Sequence, residues 1–500
     1  MRRVAQNDPT KSARKGPRDL TTGPVGRTLV LFSLPVLGSN ILQSINCSAN
    51  AIWVSHVLGE PALAAISNAN QIFFLMLGAV FGITMAANIL LAQSVGAKNR
   101  AMAKKVAGSC AVFFAVISVV VGLLGYAFTP AILSAMGTPP DARGQAIAYL
   151  RVIFAAMPSI YFFAYLMMAQ RATGDSRTPF YFSLMAVGLD VVLNPLLIIG
   201  VGPLPRLGIA GSSTATLISQ TLTLVVMVTH LYRRDSVLVL RRGEWNLLVP
   251  DLAILRSLVL KGLPMGFQMI VISLSAVTMM SLVNAYGSHT AAAYGAAAQL
   301  WTYVQMPAMA IGAAVSSMAA QNVGAGKMDR LAETAWKGAL IALLFTATPV
   351  LAIYFTNAWV LHAFLPAASP ALPIAQHINS ITLWSFLFFG VAFVFNGVMR
   401  ATGAVWAPIM AMLIALWGVR LPFALAVQPY WGADAVWFSF PLGSFVMVCL
   451  AGAYYQWGGW RKARMLAAPI PHGEVPDTGL GPPGGVEETE VAAAAAKKDR

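Results

Sequence analysis

PFYFSLMAVGLDVVLNPLLIIG, residues 179–200, is the stretch whose reading decides the fold. It is almost wholly apolar, and as a helix it reaches about 30 Å, enough to cross the hydrocarbon of a bilayer. Asp190 falls near its middle, where an ionisable group is costly and by default functional. Asn194 follows one helical turn later and shares that face. Pro195 has no N–H, so the carbonyl of Val191 lacks its helical partner. A carboxylate, an amide and a free carbonyl at mid-membrane make a candidate cation or proton site. The plain alternative is a protonated Asp bonded to a neighbouring helix.

Outward from this stretch the pattern repeats. The chain has 500 residues, 58% of them hydrophobic and 10% charged, which excludes an ordinary soluble protein. Apolar windows long enough to span a membrane fall at 28–56, 62–92, 105–128, 145–169, 179–200, 209–232, 262–286, 291–320, 334–355, 374–399, 406–428 and 434–456. They predict an all-α membrane protein of twelve transmembrane helices. Residues 1–27 and 457–500 are broken by Pro, Gly and charge and read as disordered tails. The formal net charge of +15 is topological rather than a nucleic-acid footprint. With twelve spans, every Lys and Arg of the 33 except Arg143, Arg151, Arg206 and Arg420 falls on the side of the termini. That asymmetry predicts cytoplasmic termini.

The second half echoes the first. Pro35 in FSLPV returns as Pro264 in KGLPM, and Gln93 in QSVGAKNR as Gln321 in QNVGAGKMDR. Arg171-Ala172-Thr173-Gly174 returns as Arg400-Ala401-Thr402-Gly403, Pro179 as Pro408 and Pro195 as Pro422. The offset stays between 227 and 229 residues. Two pseudo-symmetric six-helix bundles follow, an N-lobe over 28–232 and a C-lobe over 262–456, parallel because six is even. Residues 233–261 are expected as a cytoplasmic linker with an amphipathic helix over 251–261.

Asp190 is the one acid placed deep in a span; the corresponding region of the C-lobe, Leu416 to Leu421, has none. Gln43, Asn46, Cys47 and Asn50 form a polar face on the first helix, and Ser212, Ser213, Thr214, Thr216 and Ser219 line the sixth. Their neutral oxygens around Asp190 suit a hard cation such as sodium, with Asp190 as its charged ligand. Singly, such residues more often join helices by hydrogen bonds. Pro35 is a place for the first helix to bend. Gln43, Asn46, Met265, Gln268, Met306, Trp301 and Arg420 are candidates for lining a substrate cavity, where soft and aromatic side chains adapt to greasy ligands. Arg420 has a second reading, as a snorkelling or carbonyl-capping cation near a helix end. Gly78 and Gly82 make a small-xxx-small pair for close helix packing. Cys47, Cys110 and Cys449 are too scattered for a disulfide framework or a metal site. The sequence lacks the motifs of serine hydrolases, zinc proteases and phosphate-binding loops, so an enzyme is not expected, nor any cofactor beyond a coupling ion.

The doubled QxVGA, the doubled RATG ahead of a proline, LNPLLIIG followed by GIAGSSTATLIS, and WGVRLP together resemble the multidrug and toxic compound extrusion transporters, from about Thr28 to Gln456. The resemblance implies two bundles forming a V that alternates between openings. It implies antiport of organic, often lipophilic and cationic compounds against H+ or Na+, in the plasma membrane (the inner membrane of a bacterium). A single chain handling a small-molecule substrate is expected, with the bilayer as its other partner and no nucleic acid. It places the N-lobe cation site on Asn50, Asp190, Asn194 and Thr216, and gives Pro35 a role in release. Family members commonly carry Asp where this chain has Asn50, and Asn then Asp-Pro where it has Asp190 and Asn194-Pro195. The alternatives are a lipid-linked oligosaccharide flippase of the same superfamily and a non-transporting membrane scaffold.

Overall fold

A computed structural model describes residues 18–466 and 470, apart from 59, 137, 139, 201–205, 242 and 367. Residues 1–17 and nearly all of 467–500, expected as tails, lie outside the described residues. The apolar runs are helices, as a medium that cannot hydrogen-bond the backbone requires. The N-lobe holds α1 (Val25–Leu58), α2 (Glu60–Gly96), α3 (Arg100–Ala135), α4 (Pro140–Ala172), α5 (Arg177–Ile199) and α6 (Ile209–Arg233). The C-lobe holds α7 (Leu252–Asn284), α8 (Ser288–Gly324), α9 (Met328–Phe355), a short α10 (Asn357–Leu361), α11 (Ala371–Thr382), α12 (Ser385–Thr402), α13 (Trp406–Leu413), α14 (Leu421–Trp431) and α15 (Asp434–Trp457). No strand occurs among the described residues.

Two expected spans are each built in two pieces. The window 374–399 breaks between α11 and α12. Thr382 and Ser385 donate their hydroxyls to the carbonyls of Ile378 and Thr382 at 2.7 and 2.6 Å. Backbone bonds from Phe386 to Leu383 and from Leu387 to Trp384 tighten the turn. The window 406–428 passes from α13 through a seven-residue π-helical turn, Ile414–Arg420, into α14. With each counted as one crossing, twelve crossings result. Eleven of them are long and apolar enough, by composition, to span a membrane. The twelfth, α8, is as long as any, at 37 residues, but carries Gln299, Gln305, Gln321 and Asn322. It packs against α1, α2, α9, α11 and α12, so protein rather than lipid surrounds most of it.

The lobes join near the end at which Arg18 and Arg464 lie and which carries most of the described Lys and Arg, hereafter the basic end. Here the doubled QxVGA motif forms a reciprocal clasp between α2 and α8. Gln93 Nε2 donates to the Ala401 carbonyl at 2.7 Å, and Gln321 Nε2 donates to the Ala172 carbonyl at 2.7 Å. A Cβ on Gly96 would strike the Gln321 carbonyl, and one on Gly324 the Gln93 carbonyl. Nearer the middle, Ser317 donates to Asn88 Oδ1 at 3.3 Å, and Gly82 lies against the backbone of Gly262 and Gly266 in α7. Gly78 faces Met269 on the same contact, as the small-xxx-small spacing implies.

The domain boundaries differ from those expected. Residues 18–24, read as part of a tail, are docked. Leu20 is buried, its N–H donates to Gln321 Oε1, and Lys327 and Arg330 donate to the carbonyls of Thr21 and Thr22. Residues 458–466 are docked too. Trp460 is buried and stacked on Tyr455, and Ser257 donates to the Met465 carbonyl at 2.7 Å. The two RATG glycines explain both. Gly174 and Gly403 take φ of +89° and +106° to end their helices, and their bare Cα atoms lie against the backbones of Arg18 and Arg464. No separate amphipathic helix occupies 251–261. Asp251 caps α7 by accepting from the N–H groups of Ala253 and Ile254, and the helix runs unbroken into the span. Lys105 pairs with Asp251 and Lys104 with Glu244, which pins the linker to the start of α3.

Candidate functional site: a buried carboxylate in the N-lobe

The acid lies where α1, α5 and α6 meet. Asp190 is 1% exposed and Asn194, one turn on, is fully enclosed. Asn50 Nδ2 donates to Asp190 Oδ2 at 3.3 Å, and Thr216 Oγ1 donates to Oδ1 at 3.2 Å. Asn46 and Ser219 also lie within hydrogen-bonding reach of the carboxylate. Asn194 Nδ2 donates to Asn50 Oδ1 and, at 3.2 Å, to Ser212 Oγ. One polar chain thus links Ser212, Asn194, Asn50, Asp190 and Thr216. The structure brings together all four residues expected at the cation site. Helical spacing sets the grouping: Asn46 and Asn50 are one turn apart on α1, as are Ser212, Thr216 and Ser219 on α6.

Two features bear on its chemistry. Asp190 has no ion-pair partner among the described residues, and a bare carboxylate in a low-dielectric interior is costly. Asn46 Oδ1 and Asn194 Oδ1 are buried acceptors with no donor. A carboxylate without a counter-charge beside orphaned amide oxygens asks for a small cation, either a proton or a metal ion with oxygen ligands. The ring of donors is neutral, so nothing in it replaces that charge.

The expected cavity residues do not share one cavity. Asn46 belongs with Asp190, whereas Gln43 points outward, exposed, three residues earlier on α1. Met265 and Gln268 are buried in α7, where Gln268 Oε1 accepts from Arg400 Nη1 at 3.1 Å. Met306 is buried in α8. Trp301, also buried, donates to Asn379 Oδ1 at 3.0 Å, and Arg420 covers the ring of Phe440. Composition suggested an adaptable pocket, but packing dispersed these side chains between helix contacts in two lobes. Pro35 lies within an uninterrupted α1, with its carbonyl accepting from Ser39 Oγ at 3.0 Å. Two surface hollows lie elsewhere. One of about 420 Å³ is walled by Leu263, Phe267, Ile270 and Trp406, and one of about 440 Å³ by Thr290, Ile374, His377, Asp434 and Trp437.

The family model of MatE matches the chain twice, over residues 35–196 and 264–426. The chain belongs to the MatE family. The two matched segments begin at Pro35 and Pro264, so they coincide with the internal repeat. Among relatives, the chain is 37% identical to the probable multidrug resistance protein YoeA of Bacillus subtilis (strain 168), over 88% of this chain and 95% of that one. It is 24% identical to the multidrug export protein MepA of Staphylococcus aureus (strain NCTC 8325 / PS 47), over 78% and 85%. A crystal structure of MATE in the straight conformation superposes with a TM-score of 0.81 at 20% identity, covering 87% of this chain and 96% of that one. One in the bent conformation gives 0.80 at 20% identity, with the same coverage. MatE membership makes this a multi-pass membrane protein of a multidrug efflux transporter family, with the paired-bundle fold expected from the repeat.

Proposed function

We propose that the chain is a secondary antiporter that exports organic, lipophilic and cationic compounds against an inward flow of H+ or Na+ by alternating access. The observation that carries this reading is Asp190: a buried carboxylate with four neutral donors near it, two unpartnered amide oxygens beside it and no counter-charge. Occupation by a cation and occupation by substrate favour different arrangements of the lobes; equal affinity for both arrangements would couple nothing. A cation that enters while the lobes are clasped at the basic end neutralises Asp190 and favours release of the exported compound. Loss of the cation to the other side restores the charge and favours reloading. The basic end faces the cytoplasm, by the distribution of Lys and Arg. One chain supplies both lobes, so a monomer suffices, and the cycle calls for no cofactor.

The test is efflux of a fluorescent lipophilic cation from proteoliposomes, with sodium and pH gradients imposed separately. Whichever gradient drives wild-type export names the coupling ion. Asp190→Asn is expected to abolish the driven component while the protein still inserts normally. Undiminished driven transport by that variant removes Asp190 from the mechanism.

A further inference from the structure

The C-lobe contains a charge that the Asp190 reading leaves unused. Arg420 ends the π-helical turn and is only partly accessible. It makes no hydrogen bond or ion pair among the described residues, and its Nε is buried without an acceptor. It neither caps a carbonyl nor reaches an acid. Its guanidinium instead sits 3.4 Å from the ring centre of Phe440. Phe440 packs on Trp301 at 5.2 Å and on Tyr294 at 6.3 Å, so aromatic rings wall one side of the charge. Gly443 makes the room, since a Cβ there would lie 3.1 Å from Arg420 Cβ and 3.2 Å from the Ala415 carbonyl.

We infer that the partly accessible Arg420 of the C-lobe binds an anionic group, a carboxylate, sulfonate or phosphate ester, carried on an aromatic or apolar body. The partly accessible guanidinium supplies a fork of donors matched to such oxygens, backed by the ring of Phe440. The chain then handles anionic or zwitterionic amphiphiles as well as cations. This goes beyond the export reading and does not rest on it, because binding needs no gradient.

Equilibrium binding of radiolabelled 2-naphthalenesulfonate to the full-length protein in phosphatidylcholine nanodiscs tests it, with tetraphenylphosphonium as the cationic control. Arg420→Gln is expected to weaken naphthalenesulfonate binding by about tenfold or more and to leave tetraphenylphosphonium binding unchanged. Arg420→Lys, which keeps the charge but loses the fork, should fall between. Unchanged tetraphenylphosphonium affinity shows that the variants are folded. Equal naphthalenesulfonate affinity in wild type and Arg420→Gln overturns the inference. Adding phosphatidylglycerol distinguishes the sources of the anion. Competition in wild type marks a lipid headgroup as a natural occupant, and its absence marks a free amphiphile; either supports the anion site. Asp190→Asn should retain naphthalenesulfonate binding, so failure of the export reading and failure of this one give different results.

Discussion

Around Asp190 the donors are unequal in kind. Thr216 and Asn50 contact the carboxylate directly, whereas Asn194 holds Asn50 in place and keeps its own carbonyl oxygen free. A neutral hydrogen bond of this sort is worth about 1 kcal/mol net, or roughly fivefold in an equilibrium. Thr216→Val is therefore expected to shift the ion concentration for half-maximal efflux by roughly fivefold without loss of maximal rate. Asn194→Leu removes a free oxygen and the support of Asn50 together, and its shift should be larger. Ion titration of proteoliposome efflux reads both; an equal, small effect from the two variants would demote Asn194 to a packing residue. Asp190, Asn194 and Asn50 stood out in the sequence as polar side chains in apolar runs, whereas Thr216 was singled out from its Ser and Thr neighbours only by the family resemblance. Asn46 was legible as polar and had two readings, beside Asp190 or in a substrate cavity, since one helix face cannot say which neighbour it meets.

Among the elements, the linker between the lobes is held by charge rather than by a helix of its own. Trp245–Leu248 forms a 3-10 turn that lies on Gly108 of α3, and Lys104 and Lys105 pair with Glu244 and Asp251 on either side of it. The Arg241 N–H bonded to Glu244, with Lys104 beside it, holds the Glu244 carboxyl below the usual carboxylate range. A carboxyl depressed in the folded state stabilises above its unfolded titration and loses that contribution as pH falls through its folded value. Hydrogen exchange of residues 243–250 should therefore stay slow through the ordinary carboxylate range and quicken only below it. Glu244→Gln should exchange fast at every pH. A profile with no pH dependence in wild type would show that the ion pair does not hold the turn. The pattern over 251–261 suggests a helix of its own, but a pattern cannot show that a helix continues into the next span, as α7 does. The Asp251 cap sets where α7 starts.

For the molecule as a whole, the reciprocal clasp is the joint on which the proposed alternation would turn. Because Gly96 and Gly324 each lie on the other's partner backbone, adding a side chain at either should wedge the basic end open. Overpacking of this kind costs about 1–3 kcal/mol. Gly96→Val and Gly324→Val are each expected to lower efflux strongly and to raise thiol labelling of a cysteine placed at the basic end of α2. A one-sided effect would refute the reciprocity. The sequence by itself determined the membrane environment, the twelve crossings, the doubled lobes and the buried acid, because apolar length, charge asymmetry and repeat offset are properties read along one dimension. Only the tertiary structure decided that Gln93 and Gln321 exchange partners across the lobes, that 18–24 and 458–466 are docked, and that Arg420 lies on Phe440 with its Nε unpartnered. Those facts depend on which helix faces meet, and a π turn or a missing Cβ moves a face without leaving any trace in the period of the sequence.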